Sequence, residues 1–161
     1  MAGEPIKVVF DCNVIWQAFF SATGPSAQCK KLVDSGEVTL FLSIAVLEEI
    51  RDVLLRPKTR AKFPTVTSEA VEAFLQDLAD NARVQKSVPG KFTGMRDPKD
   101  EPYINLALAA GATYIVSRDS DLLDLMRWDT EDGRDFQKRF RSLKIVRPET
   151  FLEEIERAKN T

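Results

Sequence analysis

Short, almost uninterrupted apolar runs alternate along the chain with segments whose apolar residues recur at helical spacing. The apolar runs predict four strands, at residues 6–10, 38–42, 112–117 and 143–146. The periodic segments predict helices at about residues 25–35, 44–55, 67–82, 100–110, 121–126 and 148–158. Helices that alternate with strands of this kind are typical of an α/β fold, with a parallel sheet covered by helices on both faces.

Two stretches are predicted to lie between these elements. Arg56 and Pro57 end the 44–55 helix, because a proline disfavours helical conformation in the residue before it. Residues 126–142 are polar and charged, include Trp128 and Phe136, and are predicted to form a connection.

Composition narrows the class of protein. The 161 residues, 43% of them hydrophobic, predict a single domain over residues 1–161. Two cysteines do not make a disulfide framework, no secretory segment precedes the first strand, and no stretch approaches the roughly 20 apolar residues that cross a bilayer. We therefore expect a cytoplasmic protein with reduced thiols. The absence of histidine excludes Ser-His-Asp and Cys-His catalysis and histidine-ligated zinc.

The net charge of −2 does not point to a nucleic-acid partner, but the charges are unevenly distributed. An aspartate-rich run, residues 97–124, lies between two basic stretches. The first stretch comprises Arg56, Lys58, Arg60 and Lys62, and the second comprises Arg134, Lys138, Arg139, Arg141, Lys144 and Arg147. Each stretch is either an ordinary solvated face or part of a basic rim around an acidic pocket. A basic rim would suit a nuclease.

Carboxylates follow the predicted strands where an α/β sheet collects its functional groups. Asp11 directly follows the first strand, Asp119 and Asp121 follow the 112–117 strand, and Asp100 begins the helix before that strand. The carboxyl ends of parallel strands share one edge of the sheet, so these groups are expected to meet there. Mutual repulsion would be relieved by a divalent cation, and oxygen-only ligands suit Mg²⁺ or Mn²⁺. Such a site predicts phosphodiester hydrolysis without histidine.

Each of these residues also has an ordinary structural interpretation. An aspartate after a strand can simply cap the next helix, which holds for Asp119 and Asp100 taken singly. Asn13 can be a turn residue. The joint placement of the carboxylates is what favours a metal site.

Two adjacent glutamates on the 44–55 helix are distinguished by their direction. The apolar residues of that helix centre on Ile50, and at about 100° per residue Glu49 lies about 100° from this centre whereas Glu48 lies about 160° away. Glu49 therefore borders the buried stripe, and we expect it either to reach the pocket or to pair with a nearby cation. Glu48 and Asp52 are expected to face solvent.

Four segments resemble, in order and spacing, the motifs of the PIN-domain family. Residues 8–14 (Val-Val-Phe-Asp-Cys-Asn-Val) resemble its opening strand and Asp-Thr-Asn motif, and residues 43–50 (Ser-Ile-Ala-Val-Leu-Glu-Glu-Ile) resemble its second motif, whose acid falls on Glu49. Residues 96–101 (Arg-Asp-Pro-Lys-Asp-Glu) and 114–123 (Tyr-Ile-Val-Ser-Arg-Asp-Ser-Asp-Leu-Leu) resemble the remaining motifs. The resemblance covers nearly the whole chain and extends to toxins of bacterial type II toxin–antitoxin modules.

This resemblance implies a Rossmann-like three-layer α/β/α sandwich with a mainly parallel sheet. It also implies Mg²⁺ or Mn²⁺ dependence, cleavage of single-stranded RNA, a homodimer and inhibition by a bound antitoxin protein. On the residues and the resemblance together, we predict catalytic roles for Asp11, Glu49, Asp100 and Asp119. The predicted metal ligands are Asp11, Asp100, Asp119 and Asp121, with Asn13 and Ser117 in support. The predicted RNA contacts are Arg56, Lys58, Arg60, Lys62 and Arg118.

Three departures from the family pattern bear on these predictions. Cys12 stands where the family usually has threonine, which removes a hydroxyl beside the expected metal. Arg118 stands where glycine is common and puts a positive side chain next to Asp119. The 126–142 connection is longer than many family members have, which would alter a substrate groove.

Other function classes remain open from the sequence. Receiver domains and phosphatases also gather aspartates and Mg²⁺ at strand ends, although a dehalogenase-type phosphatase would have a second aspartate where this chain has Asn13. A PIN domain that only binds RNA or protein is the non-enzymatic alternative. Finally, Trp16, Phe19 and Phe20 form an aromatic group that either belongs to the core or meets a second subunit or an antitoxin segment.

Overall fold

The structure, a computed structural model, describes residues 3–160. Its strands and α-helices are, in chain order, β1 (Ile6–Phe10), α1 (Cys12–Phe20), α2 (Pro25–Asp34), β2 (Val38–Ser43), α3 (Ile44–Leu54), α4 (Pro57–Lys62), α5 (Ser68–Asp80), β3 (Ala82–Gln85), α6 (Glu101–Ala110), β4 (Tyr114–Val116), α7 (Ser120–Leu123), α8 (Glu131–Arg139), β5 (Lys144–Val146) and α9 (Pro148–Lys159). Two 3₁₀ turns, Pro98–Asp100 and Asp124–Met126, precede α6 and follow α7.

The five strands form one parallel sheet in the order β3-β2-β1-β4-β5. Helix α6 packs against β1, β2 and β4, while α2 and α9 pack against each other and against β2 and β4, respectively. The predicted parallel α/β sandwich with three layers is therefore confirmed. The chain runs outward from β1 to β2 and β3 and then returns to place β4 on the other side of β1. The strand order thus reverses between β1 and β4, and their carboxyl ends flank the crevice where such sheets bind ligands.

The central strands are buried because their side chains are apolar on both faces. Val8, Val9, Leu40, Leu42 and Ile115 are fully buried, and each such side chain contributes roughly 1.5–3 kcal/mol relative to an exposed one. The rigid core fixes the ends of β1 and β4, from which the polar residues of the crevice project. No helix within residues 3–160 is long and apolar enough to cross a membrane.

Four elements were not predicted from the sequence. Helix α1 is rich in β-branched and aromatic residues, which have low helix propensity, but it begins at the cap formed by Asp11. Pro57, which ends α3, also occupies the first turn of α4, where its fixed φ and missing N–H are tolerated. Strand β3 is a short edge strand whose Arg83 and Val84 are exposed, so it lacks an apolar run.

The fourth unpredicted element, α8, lies inside the 126–142 connection. The Thr130 side chain accepts a hydrogen bond from the backbone N–H of Gly133 at 3.0 Å, which caps the helix. Acidic residues occupy its first turn and basic residues its last, an arrangement that complements the helix dipole. Phe136 is buried in the core. Only this one aromatic ring anchors the helix, so the polar sequence around it obscured the helical pattern.

Candidate active site

Asp11 connects the end of β1 to the start of α1. Its backbone N–H donates to the carbonyl of Val116 at 2.9 Å, which extends the pairing of β1 with β4 by one residue. Its side-chain Oδ1 accepts from the backbone N–H of Cys12 at 2.7 Å and caps α1. The carboxylate is thus buried at the crevice between the two strand ends.

The residues predicted to support Asp11 do contact it. Ser117 Oγ donates to Asp11 Oδ2 at 2.6 Å, and Asn13 Nδ2 donates to the same oxygen at 3.2 Å. Ser117 Oγ also accepts from the backbone N–H of Asp119 at 2.9 Å, and Asn13 Oδ1 accepts from that of Arg118 at 3.3 Å. Ser117 and Asn13 therefore hold Asp11 and the start of the β4–α7 loop in one hydrogen-bonded unit.

Three of the predicted metal ligands form a compact carboxylate cluster. Asp100, Asp119 and Asp121 each present an oxygen such that the three atoms lie within 4.8 Å of one another. Asp100 ends the 3₁₀ turn before α6, and Asp119 caps α7 by accepting from the backbone N–H of Asp121 at 2.9 Å. The capping interpretation of Asp119 is correct, but that bond uses only Oδ1. Asp100 makes no side-chain cap bond at α6, so capping does not explain its position.

Asp100 carries an unusual buried oxygen. Among the described residues, its Oδ2 is the buried side-chain oxygen or nitrogen atom that has no hydrogen-bond partner. Buried polar atoms are almost always paired, so an orphan of this kind calls for a partner from outside the chain, such as an ion. Burial, followed by the charge of Asp119, raises the pKa of Asp100 well above its ordinary value. A divalent cation would satisfy the free oxygen and relieve the repulsion, so the cluster fits the metal that we predicted.

Asp11 lies outside this cluster but is electrostatically linked to it. Burial, partly offset by the hydrogen bonds from Ser117 and Cys12, raises the pKa of Asp11 from 3.8 to about 6. The charges of Asp119 and Glu49 raise this pKa further. Both oxygens of Asp11 already accept hydrogen bonds, unlike the free oxygen of Asp100.

Glu49 and Glu48 differ in burial as the helical wheel predicts. Glu49 is half-buried, whereas Glu48 is exposed. The hydroxyl of Tyr103, a fully buried residue of α6, donates to Glu49 Oε2 at 3.1 Å. Burial raises the pKa of Tyr103 above its usual range, so the hydroxyl remains a donor. Tyr103 was not predicted as a site residue, because it lies among apolar residues in the sequence and resembles an aromatic residue of the core.

Cys12 stands beside Asp11 and Glu49. Burial, with the charges of these two acids, raises the pKa of the Cys12 thiol to about 12. The thiol therefore stays protonated and neutral at physiological pH. A neutral thiol in place of the family's usual hydroxyl adds no charge to the acidic site.

The predicted RNA contacts fall into two groups. Four of them are exposed at α4, Arg56 at its N-cap and Lys58, Arg60 and Lys62 within it. Arg56 also pairs with Asp52 at 3.2 Å. Arg118 is different, because its guanidinium is engaged by Glu149 of α9 and by Gln17 of α1. The structure thus gives Arg118 internal partners beside the site instead of a free guanidinium.

One further basic residue touches the cluster and was not predicted. Arg96 Nη2 lies 3.0 Å from Asp121 Oδ1 and 2.8 Å from Asp124 Oδ2. Its place in the Arg-Asp-Pro-Lys-Asp segment that ends at Asp100 was the available sequence signal. Sequence spacing could not show that Arg96 bridges to α7.

Comparison with known proteins identifies the family. The family model of the PIN domain matches residues 7–121, which is more than two thirds of the chain. This range begins in β1 and ends at Asp121, so it contains Asp11, Glu49, Asp100 and Asp119. No curated protein matches the chain. PIN domains are generally nucleases that use divalent metals, and the carboxylate cluster described above agrees with that chemistry. The chain belongs to the PIN-domain family.

Proposed function

We propose that this PIN domain is a metal-dependent endoribonuclease that hydrolyses phosphodiester bonds of single-stranded RNA. The observation that carries the proposal is the cluster of Asp100, Asp119 and Asp121, together with the buried, unpartnered Oδ2 of Asp100. A cluster that only stabilised the fold would have its buried oxygen paired. This arrangement instead suits a bound cation.

The three clustered aspartates would hold Mg²⁺ or Mn²⁺, since all their ligand atoms are carboxylate oxygens. A divalent cation bound there supplies Lewis-acid polarisation of a phosphoryl oxygen and stabilises the charge that develops during hydrolysis. Asp11 lies at the neighbouring strand end, held by Ser117 and Asn13.

Glu49 has the position needed to orient an attacking water. It is half-buried, borders the crevice and affects the pKa of Asp11, so its carboxylate lies close to the acidic site. The hydrogen bond from Tyr103 restricts its rotamer. A water held by a fixed carboxylate loses less freedom in the reaction than a mobile one, and such placement supplies a large part of the rate in hydrolases.

The exposed basic residues of α4 are suited to hold the RNA backbone. Arg56 is close enough to the site to lower the pKa of Cys12, which neighbours Asp11. We propose that Arg56, Lys58, Arg60 and Lys62 contact phosphates next to the cleaved bond. Arg118 would act indirectly, since its bonds to Glu149 and Gln17 join α9 and α1 beside Asp119.

The test is cleavage of a labelled single-stranded RNA with and without divalent metal. We expect chelator to abolish cleavage and added Mn²⁺ or Mg²⁺ to restore it. Full activity in excess chelator would contradict the proposal. Phosphate release from a small monoester without RNA cleavage would point to a phosphatase, and RNA binding without cleavage would point to a degenerate PIN domain.

We also propose that the protein is the toxin of a toxin–antitoxin pair and forms a homodimer in the cytoplasm. The support is the resemblance to such toxins and the half-buried aromatic surface of α1, where Trp16, Phe19 and Phe20 pack on Phe63 and Phe74. Both cysteines are free, which suits a reducing compartment.

Growth arrest on expression, reversed by a small protein encoded beside the gene, would support the toxin role. A monomer at high concentration in sedimentation experiments would contradict the dimer.

A further inference from the structure

A cavity of about 320 Å³ opens directly beside the carboxylate cluster. It lies between the 92–96 loop, the 124–127 segment and α8, and Asp121 belongs both to its wall and to the cluster. Its volume falls at the lower end of the range for small-molecule sites. A group bound in this cavity would therefore be a direct neighbour of a phosphate at the metal.

The loop that forms one wall is held in place by side chains of α6. Asn105 Oδ1 accepts from the backbone N–H of Phe92 at 2.7 Å, and Asn105 Nδ2 donates to the Phe92 carbonyl at 3.2 Å. Glu101 Oε2 accepts from the backbone N–H groups of Gly94 and Met95 at 2.9 and 3.1 Å. These four bonds pre-organise the loop, which lowers the entropy lost when a ligand binds.

The opposite wall is fixed by α8. Gln137 Nε2 donates to the carbonyl of Leu125 at 3.2 Å and ties α8 to the 3₁₀ turn after α7. The buried ring of Phe136 meets the half-buried ring of Phe92 edge-on, with centroids 5.5 Å apart. The floor of the cavity is therefore aromatic, and aromatic rings are the usual contact surface for unstacked bases.

Arginine side chains surround this aromatic floor. Arg96, Arg127 and Arg139 all line the cavity. Arg96 uses its Nη2 for both Asp121 and Asp124, and among the described residues no hydrogen bond uses its Nε or Nη1. These N–H groups remain available to a phosphate, which a guanidinium binds with good geometry.

Acidic groups in the wall restrict which base would fit. Asp132 and Asp135 are exposed on α8 and line the cavity. Asp121 and Asp124 also line the cavity, but both are paired with Arg96, whereas Asp132 and Asp135 form no salt bridge with another described residue. Unpaired carboxylates repel a phosphate, so the phosphate of a bound nucleotide would lie toward Arg96 and its base toward α8. Carboxylates are acceptors only, and they pair with the amino group of cytosine but find an unpaired carbonyl at the same position of uracil.

We propose that this cavity binds the nucleotide adjoining the scissile phosphate, with Arg96 on its phosphate and a preference for cytosine over uracil. The inference rests on the nuclease function proposed above. It adds a substrate subsite built from Arg96 and from the 126–142 segment, and it gives that segment a role in choosing the cleavage position.

The direct test is calorimetric titration of the Mg²⁺-loaded protein with CMP and UMP. We expect CMP to bind several-fold more tightly than UMP. Arg96→Ala should weaken CMP binding on the order of tenfold or more, because a hydrogen bond to a charged group is removed. Arg96→Lys should recover part of the affinity. The matched control is Arg83→Ala on the edge strand β3, which removes the same charge and should leave the affinity unchanged.

Two outcomes would overturn the inference while leaving the nuclease proposal intact. One is cleavage of RNA with equal CMP and UMP affinities. The other is an Arg96→Ala protein that binds CMP as the Arg83→Ala control does. Should Arg96→Ala fail to fold, as judged by circular dichroism, Arg139→Ala on α8 must show the same loss of CMP binding. Conversely, CMP binding that depends on Arg96, in a protein that does not cleave RNA, would support a nucleotide site in this cavity and contradict the proposed nuclease activity.

Discussion

Asp11 and Asp100 are both buried acids at the same crevice, but their surroundings differ. Asp11 receives hydrogen bonds on both oxygens, from the backbone of Cys12 and from the side chains of Ser117 and Asn13. Asp100 has a buried oxygen with no partner and sits in a cluster with two other acids. The part of the site around Asp11, which we call the Asp11 flank, therefore has its polar atoms satisfied within the protein. The part formed by Asp100, Asp119 and Asp121, which we call the Asp100 flank, would be satisfied by the cation that we propose.

The difference assigns distinct tasks to the two flanks. The Asp11 flank, with Glu49 and Tyr103, has fixed side chains that can position water and substrate. The Asp100 flank is electrostatically unfavourable on its own, since buried like charges disfavour ionisation. We therefore expect variants of the Asp11 flank to act mainly on the rate of cleavage, and variants of the Asp100 flank to act on metal affinity and on stability without metal.

The largest expected effect separates the adjacent glutamates. Glu49→Gln should lower the cleavage rate by orders of magnitude, because it weakens the group that we propose to orient the attacking water on the Asp11 flank. Glu48→Gln is the matched control and should change little, since Glu48 is exposed. The measurement is the cleavage rate at saturating Mn²⁺, with circular dichroism to check the fold.

Tyr103→Phe sharpens this test. It removes only the hydroxyl that donates to Glu49, so its rate should lie between those of the wild type and Glu49→Gln. Equal losses of cleavage rate for both glutamate variants would mean that the orientation of the side chains on α3 does not determine which glutamate acts in cleavage. A loss of rate for Glu48→Gln alone would show that the active glutamate is Glu48, on the exposed face of the helix.

A smaller effect should appear in the stability of the metal-free protein at pH 8. Asp100→Asn removes a buried, unsatisfied charge, and we expect it to stabilise the fold by roughly 1–2 kcal/mol, or about 2–8 °C in Tm. Asp11→Asn should stabilise less, because its amide must present an N–H to one of the donors that now surround the carboxylate. The measurement is thermal unfolding in excess chelator, and a larger gain for Asp11→Asn would reverse the assignment of the flanks.

The pH dependence of this stability has a definite sign. The pKa of Asp11 is raised from 3.8 to about 6, and that of Asp100 is also raised, so the folded, metal-free protein binds protons more tightly than the unfolded chain. The stability contributed by these two groups is therefore fully present below about pH 4, and it is lost as the pH rises through their folded-state pKa values, which for Asp11 is about 6. The increase in stability caused by Asp100→Asn should accordingly become smaller as the pH is lowered toward 4. An increase in stability that does not depend on pH would show that the charge of Asp100 is not its cause.

The smallest expected effect concerns how RNA approaches the site. Neutralising Arg56, Lys58, Arg60 and Lys62 together should weaken RNA binding similarly for all sequences and flatten its salt dependence. The log–log slope should fall by about 0.7 for each RNA phosphate that the protein no longer neutralises. Binding measured by fluorescence anisotropy at several salt concentrations would show this. An unchanged slope would identify α4 as an ordinary solvated face.

The sequence predicted the sheet well because buried parallel strands have a simple pattern. Apolar runs located β1, β2, β4 and β5, and the helical spacing around Ile50 correctly distinguished half-buried Glu49 from exposed Glu48. Edge strand β3 was missed because half of its residues face solvent. Helix α1 was missed because tertiary packing and the Asp11 cap override the low helix propensity of its residues.

The site was harder to predict because it depends on how side chains from distant parts of the chain are oriented in three dimensions. Strand ends indicated that Asp11, Asp100 and Asp119 would lie near one another, but not that Asp11 would stand outside the compact cluster. Arg118 resembled a substrate contact in the sequence, whereas the structure pairs it with Glu149. Tyr103 and Arg96 reach the site from positions 54 and 25 residues away from their partners Glu49 and Asp121, and such pairings leave no local pattern in a sequence.

The central claim is that the unpartnered oxygen of Asp100 belongs to a divalent metal site. Calorimetric titration of the metal-free protein with Mn²⁺ tests this directly, without reference to any substrate. We expect the wild type and the control Asp80→Asn, which removes the same charge from an exposed position, to bind Mn²⁺ equally. Asp100→Asn should bind more than about tenfold more weakly, because loss of even an outer-shell partner costs about 10–100-fold in metal affinity. Equal binding by all three proteins would contradict the claim.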